Sequence, residues 1–256
     1  MTAVNPLKAK LAAGECATCF MVTMPSVAMV QVLASSGVDA LIIDMEHGPI
    51  DLATAHAMIA ATKGTPAVPI VRVPWSEPWL AKPVLDAGAF GINFPMISSA
   101  VLARETVRAV RYPPTGGRGW APSYAPLRWG LSTEEYLRSA DREVLNIVTI
   151  EEPAAIEALD EILAVPGIDV VVIASFDLSM AMGRPEARIL SSAAATRRRS
   201  SGSSNCPGRP MAIDRSNEAI TTTSMPGTAR ISSSASIAAG SSMVTMFMTS
   251  RSAQRR

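Results

Sequence analysis

The sequence predicts an α/β fold of the TIM (β/α)8-type barrel, incomplete at about six βα units and followed by an aberrant C-terminal tail. Two observations carry this. Short apolar runs alternate with amphipathic helical stretches up to about residue 185, the pattern of a parallel sheet with right-handed crossovers. Charged residues then stand just past those runs: His47 after Leu41-Ile42-Ile43-Asp44, Arg72 after Val68-Pro69-Ile70-Val71, Glu151 after Asn146-Ile147-Val148-Thr149-Ile150, and Asp177 after Val170-Val171-Val172-Ile173. In a parallel barrel the C-terminal strand ends converge on one face, so these residues would share a pocket.

In order, the pattern predicts a strand at Cys19–Thr23, a helix at Val27–Ser35, a strand at Asp39–Ile43 and a helix at Leu52–Ala61 entered at Asp51, an N-cap type of residue. Strands follow at Val68–Val73, Gly91–Phe94, Asn146–Ile150 and Val170–Ile173, with helices near Trp79–Asp86, Ala100–Val110 and Ala154–Leu163. A doubly wound sheet also fits six strands, but no Gly-x-Gly-x-x-Gly follows the first one, which removes the usual nucleotide-binding signal. The segment Tyr112–Trp120, rich in Pro and Gly, reads as a long loop overhanging the pocket.

The 256 residues could hold one barrel of the usual ~250-residue size or two smaller domains, and length alone does not choose. With 23 basic against 22 acidic residues there is no electrostatic footprint for nucleic acid or an anionic membrane, and a small neutral or anionic substrate is easier to accommodate. No apolar run approaches a membrane span and the N-terminus has no signal-peptide core, so a cytoplasmic protein is expected. Cys16 and Cys19 form a lone Cys-x-x-Cys with no second pair to complete a zinc site, and they read as small apolar residues near a strand.

His47 lies in the polar cluster Asp44-Met45-Glu46-His47-Gly48-Pro49, where an imidazole that titrates near neutral pH can act as a general base. His56 sits inside a helix without that context and is expected to be ordinary. Glu151 and Asp177 are two anionic oxygen ligands suited to a hard divalent cation; Glu152 and Glu46 are further candidates. Arg72 needs an anion to offset its desolvation, either an enolate or carboxylate of the substrate or a structural salt bridge. The four lysines, Lys8, Lys10, Lys63 and Lys82, end no strand, so Schiff-base chemistry is excluded and carbonyl chemistry would need a metal as electron sink.

Ile43-Asp44-Met45-Glu46-His47-Gly48-Pro49, Leu85-Asp86-Ala87-Gly88-Ala89-Phe90-Gly91-Ile92-Asn93-Phe94-Pro95-Met96, Arg111-Tyr112-Pro113-Pro114 and Asp177-Leu178-Ser179 resemble the HpcH/HpaI aldolases, from about residue 12 to 185. The resemblance implies reversible aldol cleavage of a 4-hydroxy-2-oxo acid to pyruvate and an aldehyde, of the kind used in aromatic catabolism. It implies a divalent metal (Mg²⁺, Mn²⁺ or Co²⁺) on Glu151 and Asp177, His47 as base, and Arg72 stabilising the enolate. It also implies an aspartate matching Asp86 that supports the histidine, with Asp44 as the alternative partner or Asp86 delivered by a neighbouring subunit of a homo-oligomer. Substrate contacts fall on Arg72, Thr149, Phe176 and Asp177. Thr149 stands where the family commonly has glutamine, and Ala174-Ser175-Phe176 replaces its usual Gly-Pro neighbourhood. The alternatives are a citrate-lyase β-type lyase acting on a CoA thioester and an inactive truncated or assembly protein.

These features divide the chain into a truncated barrel domain, residues 1–185, and a low-complexity tail, 186–256, whose Ser-, Arg-, Ala- and Thr-rich composition buries too little apolar surface for barrel strands. The tail also reads backwards. On the opposite DNA strand displaced by one base, Ser242-Ser241-Gly240-Ala239-Ala238-Ile237 becomes Asp/Glu-Asp/Glu-Pro-Ala-Ala-Ile, matching Glu151–Ile156, and Thr223–Ala219 returns Val170–Ala174. One ungapped register pairs Leu137 with Arg256 and Pro185 with Gly208, with clear exceptions at Ser139, Leu159 and Leu163. Residues from about 187 onward are therefore expected to be an antisense translation of a near-copy of the same gene, which leaves the first and sixth strand edges uncovered and the chain poorly active.

Overall fold

The computed structural model describes residues 5–184 together with strands at 232–233 and 241–246. A first helix, α1 (Pro6–Ala12), is capped by Asn5, whose side chain accepts from the Lys8 N–H. Six βα repeats then run β1 (Ala17–Val22), α2 (Val27–Ala34), β2 (Ala40–Asp44), α3 (Leu52–Ala61), β3 (Val68–Arg72), α4 (Pro78–Asp86), β4 (Gly91–Phe94), α5 (Ala100–Val110), α6 (Ala125–Trp129), α7 (Thr133–Glu143), β5 (Leu145–Ile150), α8 (Pro153–Glu157), α9 (Leu159–Leu163), β6 (Val170–Ile173) and α10 (Ser175–Ala181). Each predicted strand forms within two residues of its expected limits. The helix expected over 154–163 is broken at Ala158 into α8 and α9, and α1, α6, α7 and α10 add to those read from periodicity. Of these, α7 carries a capping box between Ser132 and Glu135, a Ser-x-x-Glu signal present in the sequence.

Strands β1 to β6 pair in sequence order, each parallel to the next. The sheet curls into half a barrel, and the period-2 alternation of each strand divides its side chains between two cores. Ala17, Cys19, Ala40, Ile42, Val68, Ile70, Leu145, Ile147 and Val170 fill the inner face, plugged by Leu7 and Leu11 of α1. Leu41, Ile43, Val71, Ile92, Phe94, Val148, Ile150 and Val171 face outward and bury the apolar stripes of the helices. Burial on both faces explains why these strands read as continuous apolar runs. Each fully buried Ile or Leu contributes about 1.5–3 kcal/mol.

Two expectations are corrected. The 112–120 loop does not overhang the C-terminal strand ends. It leaves the C-terminus of α5 on the way to β5, which in a parallel sheet puts it at the opposite end, where Arg118 is buried against Asp86. The outer edge of β1 is not open either: β8 (Ser241–Met246) lies antiparallel along its whole length and β7 (Ser232–Ser233) pairs with β8. An edge strand offers a row of unpaired N–H and C=O groups, and an extended segment of either direction can satisfy them. These added strands run against the direction of barrel strands.

Candidate active site

Carrying the inner-face alternation one step past the apolar layer gives the site. Ala40 and Ile42 are followed on the same face by Asp44, Val68 and Ile70 by Arg72, and Leu145 and Ile147 by Thr149 and then Glu151, with Met21 and Asn93 beside them. Asp44 and Arg72 are register partners, as are Arg72 and Asn93. A small cavity of about 120 Å³ opens there, lined among others by Met21, Arg72, Asn93, Thr149, Phe176 and Asp177. A larger cavity of about 180 Å³ lies near the N-terminal ends of the strands between Lys63, Phe90, Arg128 and Trp129. It has no carboxylate or histidine in its lining, so the chemistry belongs to the smaller one.

Arg72 is held rigidly. Its Nε and Nη2 donate to Asp44 Oδ1 and Oδ2 at 2.8 and 2.6 Å, a two-pronged pair with a fully buried carboxylate, and Nη2 also lies 3.3 Å from Met21 Sδ. Glu46 Oε2 stands 3.1 Å from Nε. Burial alone would disfavour the charge; Asp44, Glu46 and Glu151 outweigh it and hold the guanidinium above its ordinary value. The salt bridge foreseen as the structural reading of Arg72 is thus present, and the residue still lines the cavity.

Glu151, 6 % exposed, accepts the Met96 N–H on Oε1 at 2.5 Å. Met96 reaches it from the left-handed region at φ 56°, a conformation costing a non-glycine residue on the order of 1 kcal/mol. Burial pushes the Glu151 carboxyl above its usual range and the negative charge of Asp177 adds to this, against the Met96 N–H, Arg72 and His47. Asp177 lies in the first turn of α10 and Phe176 beside it is half exposed at the rim. Thr149 is buried and donates from Oγ1 to Asn93 Oδ1 at 2.8 Å. Asn93 and Met96 were missed in the sequence, although a polar residue inside the apolar Gly91–Phe94 run was a readable signal.

His47 is exposed in the loop after β2, with Nε2 3.9 Å from Glu46 Oε2. Asp86 ends α4 and is bound by Arg118 at 2.8 Å and Lys82 at 3.0 Å, away from the His47 of its own chain. His56 is occupied elsewhere, with Nε2 2.7 Å from Arg128 Nη2 and its ring edge-on to Tyr124. Cys19 is buried and burial drives its thiol up to about 12, which leaves it a packing residue. Among the described residues no three His, Cys, Asp or Glu side chains form a ready metal cage, and no helix is long and apolar enough to cross a membrane.

Comparison with known proteins identifies the family. Residues 18–199 match the model of the HpcH/HpaI aldolase/citrate lyase family. A hydroxypyruvate/pyruvate aldolase of Roseovarius nubinhibens is 42% identical over 179 residues, covering 70% of this chain and 70% of that protein. A 2-keto-3-deoxy-L-rhamnonate aldolase of Klebsiella pneumoniae is 38% identical over 183 residues, covering 71% and 68%. The crystal structure of an HpcH/HpaI aldolase/citrate lyase family protein from Burkholderia cenocepacia aligns with a TM-score of 0.65 at 33% identity, covering 72% of this chain and 74% of that one.

Proposed function

The chain belongs to the HpcH/HpaI aldolase/citrate lyase family, and from that premise we propose that it reversibly cleaves a 4-hydroxy-2-oxo acid to pyruvate and an aldehyde. The observation that carries the reading is the buried Glu151 within electrostatic reach of the exposed Asp177, beside an anchored guanidinium at the strand ends.

Two like charges, one of them pushed toward its neutral form by burial, suit a dication, and the donors are hard oxygens. Glu151 and Asp177 would hold Mg²⁺, Mn²⁺ or Co²⁺, with water and substrate completing its shell. That ion would act as a Lewis acid on the carbonyl of the 2-oxo acid. Arg72, fixed by Asp44, presents its guanidinium to the oxygen on which negative charge develops, in a partly dry site where such a donor is strongest. His47 takes the proton from the C4 hydroxyl; the C3–C4 bond breaks, the aldehyde leaves and the electron pair passes to the enolate. Proton return to C3 then gives pyruvate. Thr149 and Phe176 border the space for substrate, and Thr149 leaves more room than the family's usual glutamine.

On this reading residues 1–185 are the aldolase domain and 186–256 stand outside it, which is supported by every parallel strand among the described residues lying before residue 185. On the same reading the enzyme is cytoplasmic and acts on small soluble acids, and its intact homologues are homo-oligomeric. The test follows the half-reaction: exchange of the pyruvate methyl protons with D₂O by the Mn²⁺-loaded chain. Exchange is expected to fall by about a hundredfold or more in Arg72→Met, the cost of removing an oxyanion donor. Exchange that needs no metal, or that competes poorly with turnover of an acyl-CoA, sinks the proposal.

A further inference from the structure

Between Arg72 on β3 and Glu151 just past β5 runs β4, whose inward side chain at that level is Asn93, in register with Arg72 on one side and Ile147 on the other. Asn93 is 1% exposed and lines the cavity of about 120 Å³. Its Oδ1 accepts the Thr149 hydroxyl at 2.8 Å, which uses the one hydrogen that Thr149 has to give. The Nδ2 of Asn93 donates to no acceptor among the described residues. Met21, Ile42 and Val172, which share the lining, offer it no oxygen. A buried amide with its N–H groups unmet is the exception in a folded chain, and one at a cavity wall is a donor waiting for a ligand.

We propose that Asn93 determines specificity at C3 of the 2-oxo acid: its Nδ2 donates to a hydroxyl on that carbon, so the site favours a 3-hydroxy-2-oxo acid over one without the hydroxyl. The inference rests on the aldolase reading, in which the acid spans from Arg72 on β3 to Glu151 and Asp177 beyond β5 and β6 and so crosses β4. Two features favour a C3 hydroxyl over the oxygens that all such acids share. The carboxylate and oxo oxygens are answered by charged groups, whereas a neutral amide answers a neutral hydroxyl with no charge left over. Thr149 is short and turned into Asn93, which leaves space for a substituent beside the free amide. A hydroxyl both donates and accepts, so it satisfies the amide whichever of its ends faces the cavity. The bonds made and broken are those of the proposed cleavage: C3–C4 breaks, the C4 hydroxyl proton goes to His47, and the enolate keeps the C3 hydroxyl unchanged.

The ratio to measure is kcat/KM for D₂O exchange at C3 of 3-hydroxypyruvate over that at the pyruvate methyl, with the Mn²⁺-loaded full chain. Asn93→Leu, close in size, is expected to lower this ratio about tenfold, the loss of one hydrogen bond to a substrate hydroxyl. Thr149→Gln, which refills the space, is expected to lower it in the same direction. An equal fall with both acids would mean that Asn93 meets an oxygen common to them, and an unchanged ratio would mean no contact; either overturns the proposal and leaves the aldolase reading intact. Absence of Mn²⁺-dependent exchange with both acids in the parent chain sinks that reading and this inference with it. A second readout needs no turnover and no folded variant of Asn93 beyond peak assignment. The side-chain amide ¹H–¹⁵N peaks of Asn93 are expected to shift with 3-hydroxypyruvate at concentrations where pyruvate leaves them in place. Equal shifts with the two acids, or none with either, refute the proposal.

Discussion

At the scale of single residues the site is a set of like and unlike charges, each stabilised by a different neighbour. Asp44 anchors Arg72, Met96 donates to Glu151, and Asp177 is the carboxylate that adds to the Glu151 shift. If the last two are metal ligands, Mn²⁺ affinity measured by isothermal titration should fall about a hundredfold or more in Glu151→Gln and in Asp177→Asn. It should weaken in the parent chain as the pH is lowered, because protons compete for the same oxygens. Affinity retained in both variants would place the metal elsewhere. The sequence showed these residues because charge after an apolar run is conspicuous. It could not show that Asp44 points at Arg72, since strand alternation gives the face and not the partner. Met96 was hidden for a different reason: only its backbone takes part.

At the scale of elements, the inner core depends on α1 and β1 being tied together. Asp39 makes that joint, accepting from Lys10 of α1 at 2.7 Å on Oδ1 and, on Oδ2, from the Thr18 N–H at 2.7 Å and hydroxyl at 3.0 Å. Burial works against its charge, and these bonds together outweigh it, holding the carboxyl below its ordinary value. A depressed carboxylate contributes stability above its unfolded value near 4 and loses it as the pH falls through the lower folded value. Asp39→Asn should therefore destabilise the chain by about 1–2 kcal/mol at pH 7 in urea unfolding, with the gap to the parent closing below about pH 4. A gap independent of pH would assign the effect to packing. The strands were legible because burial on both faces leaves unbroken apolar runs. Helix α7 was not, because its mostly polar residues give a capping signal without a long apolar stripe, and the 112–120 loop was placed at the wrong end because loop composition carries no direction.

At the scale of the molecule, every proposed site residue lies on β1 to β6 or the loops and helices that follow them, so half a barrel carries the whole proposed set. Among the described residues no parallel strand follows β6, and the two strands that do follow it add to the sheet antiparallel, β8 along β1 and β7 along β8. The codon correspondence of the tail makes its own prediction: sequencing the locus should find an inverted repeat spanning codons 137–185 and 208–256. A locus without that complementarity would make the correspondence accidental. The central claim is that Glu151 and Asp177, with Arg72 and His47, form a metal-dependent aldolase site. It is tested most directly by pyruvate release from a 4-hydroxy-2-oxo acid by the full chain, with and without Mn²⁺. The account predicts metal-dependent release, slower than that of a complete-barrel aldolase run alongside and absent from the Glu151→Gln, Asp177→Asn double variant. Release that is indifferent to Mn²⁺, or that survives both substitutions, would contradict it.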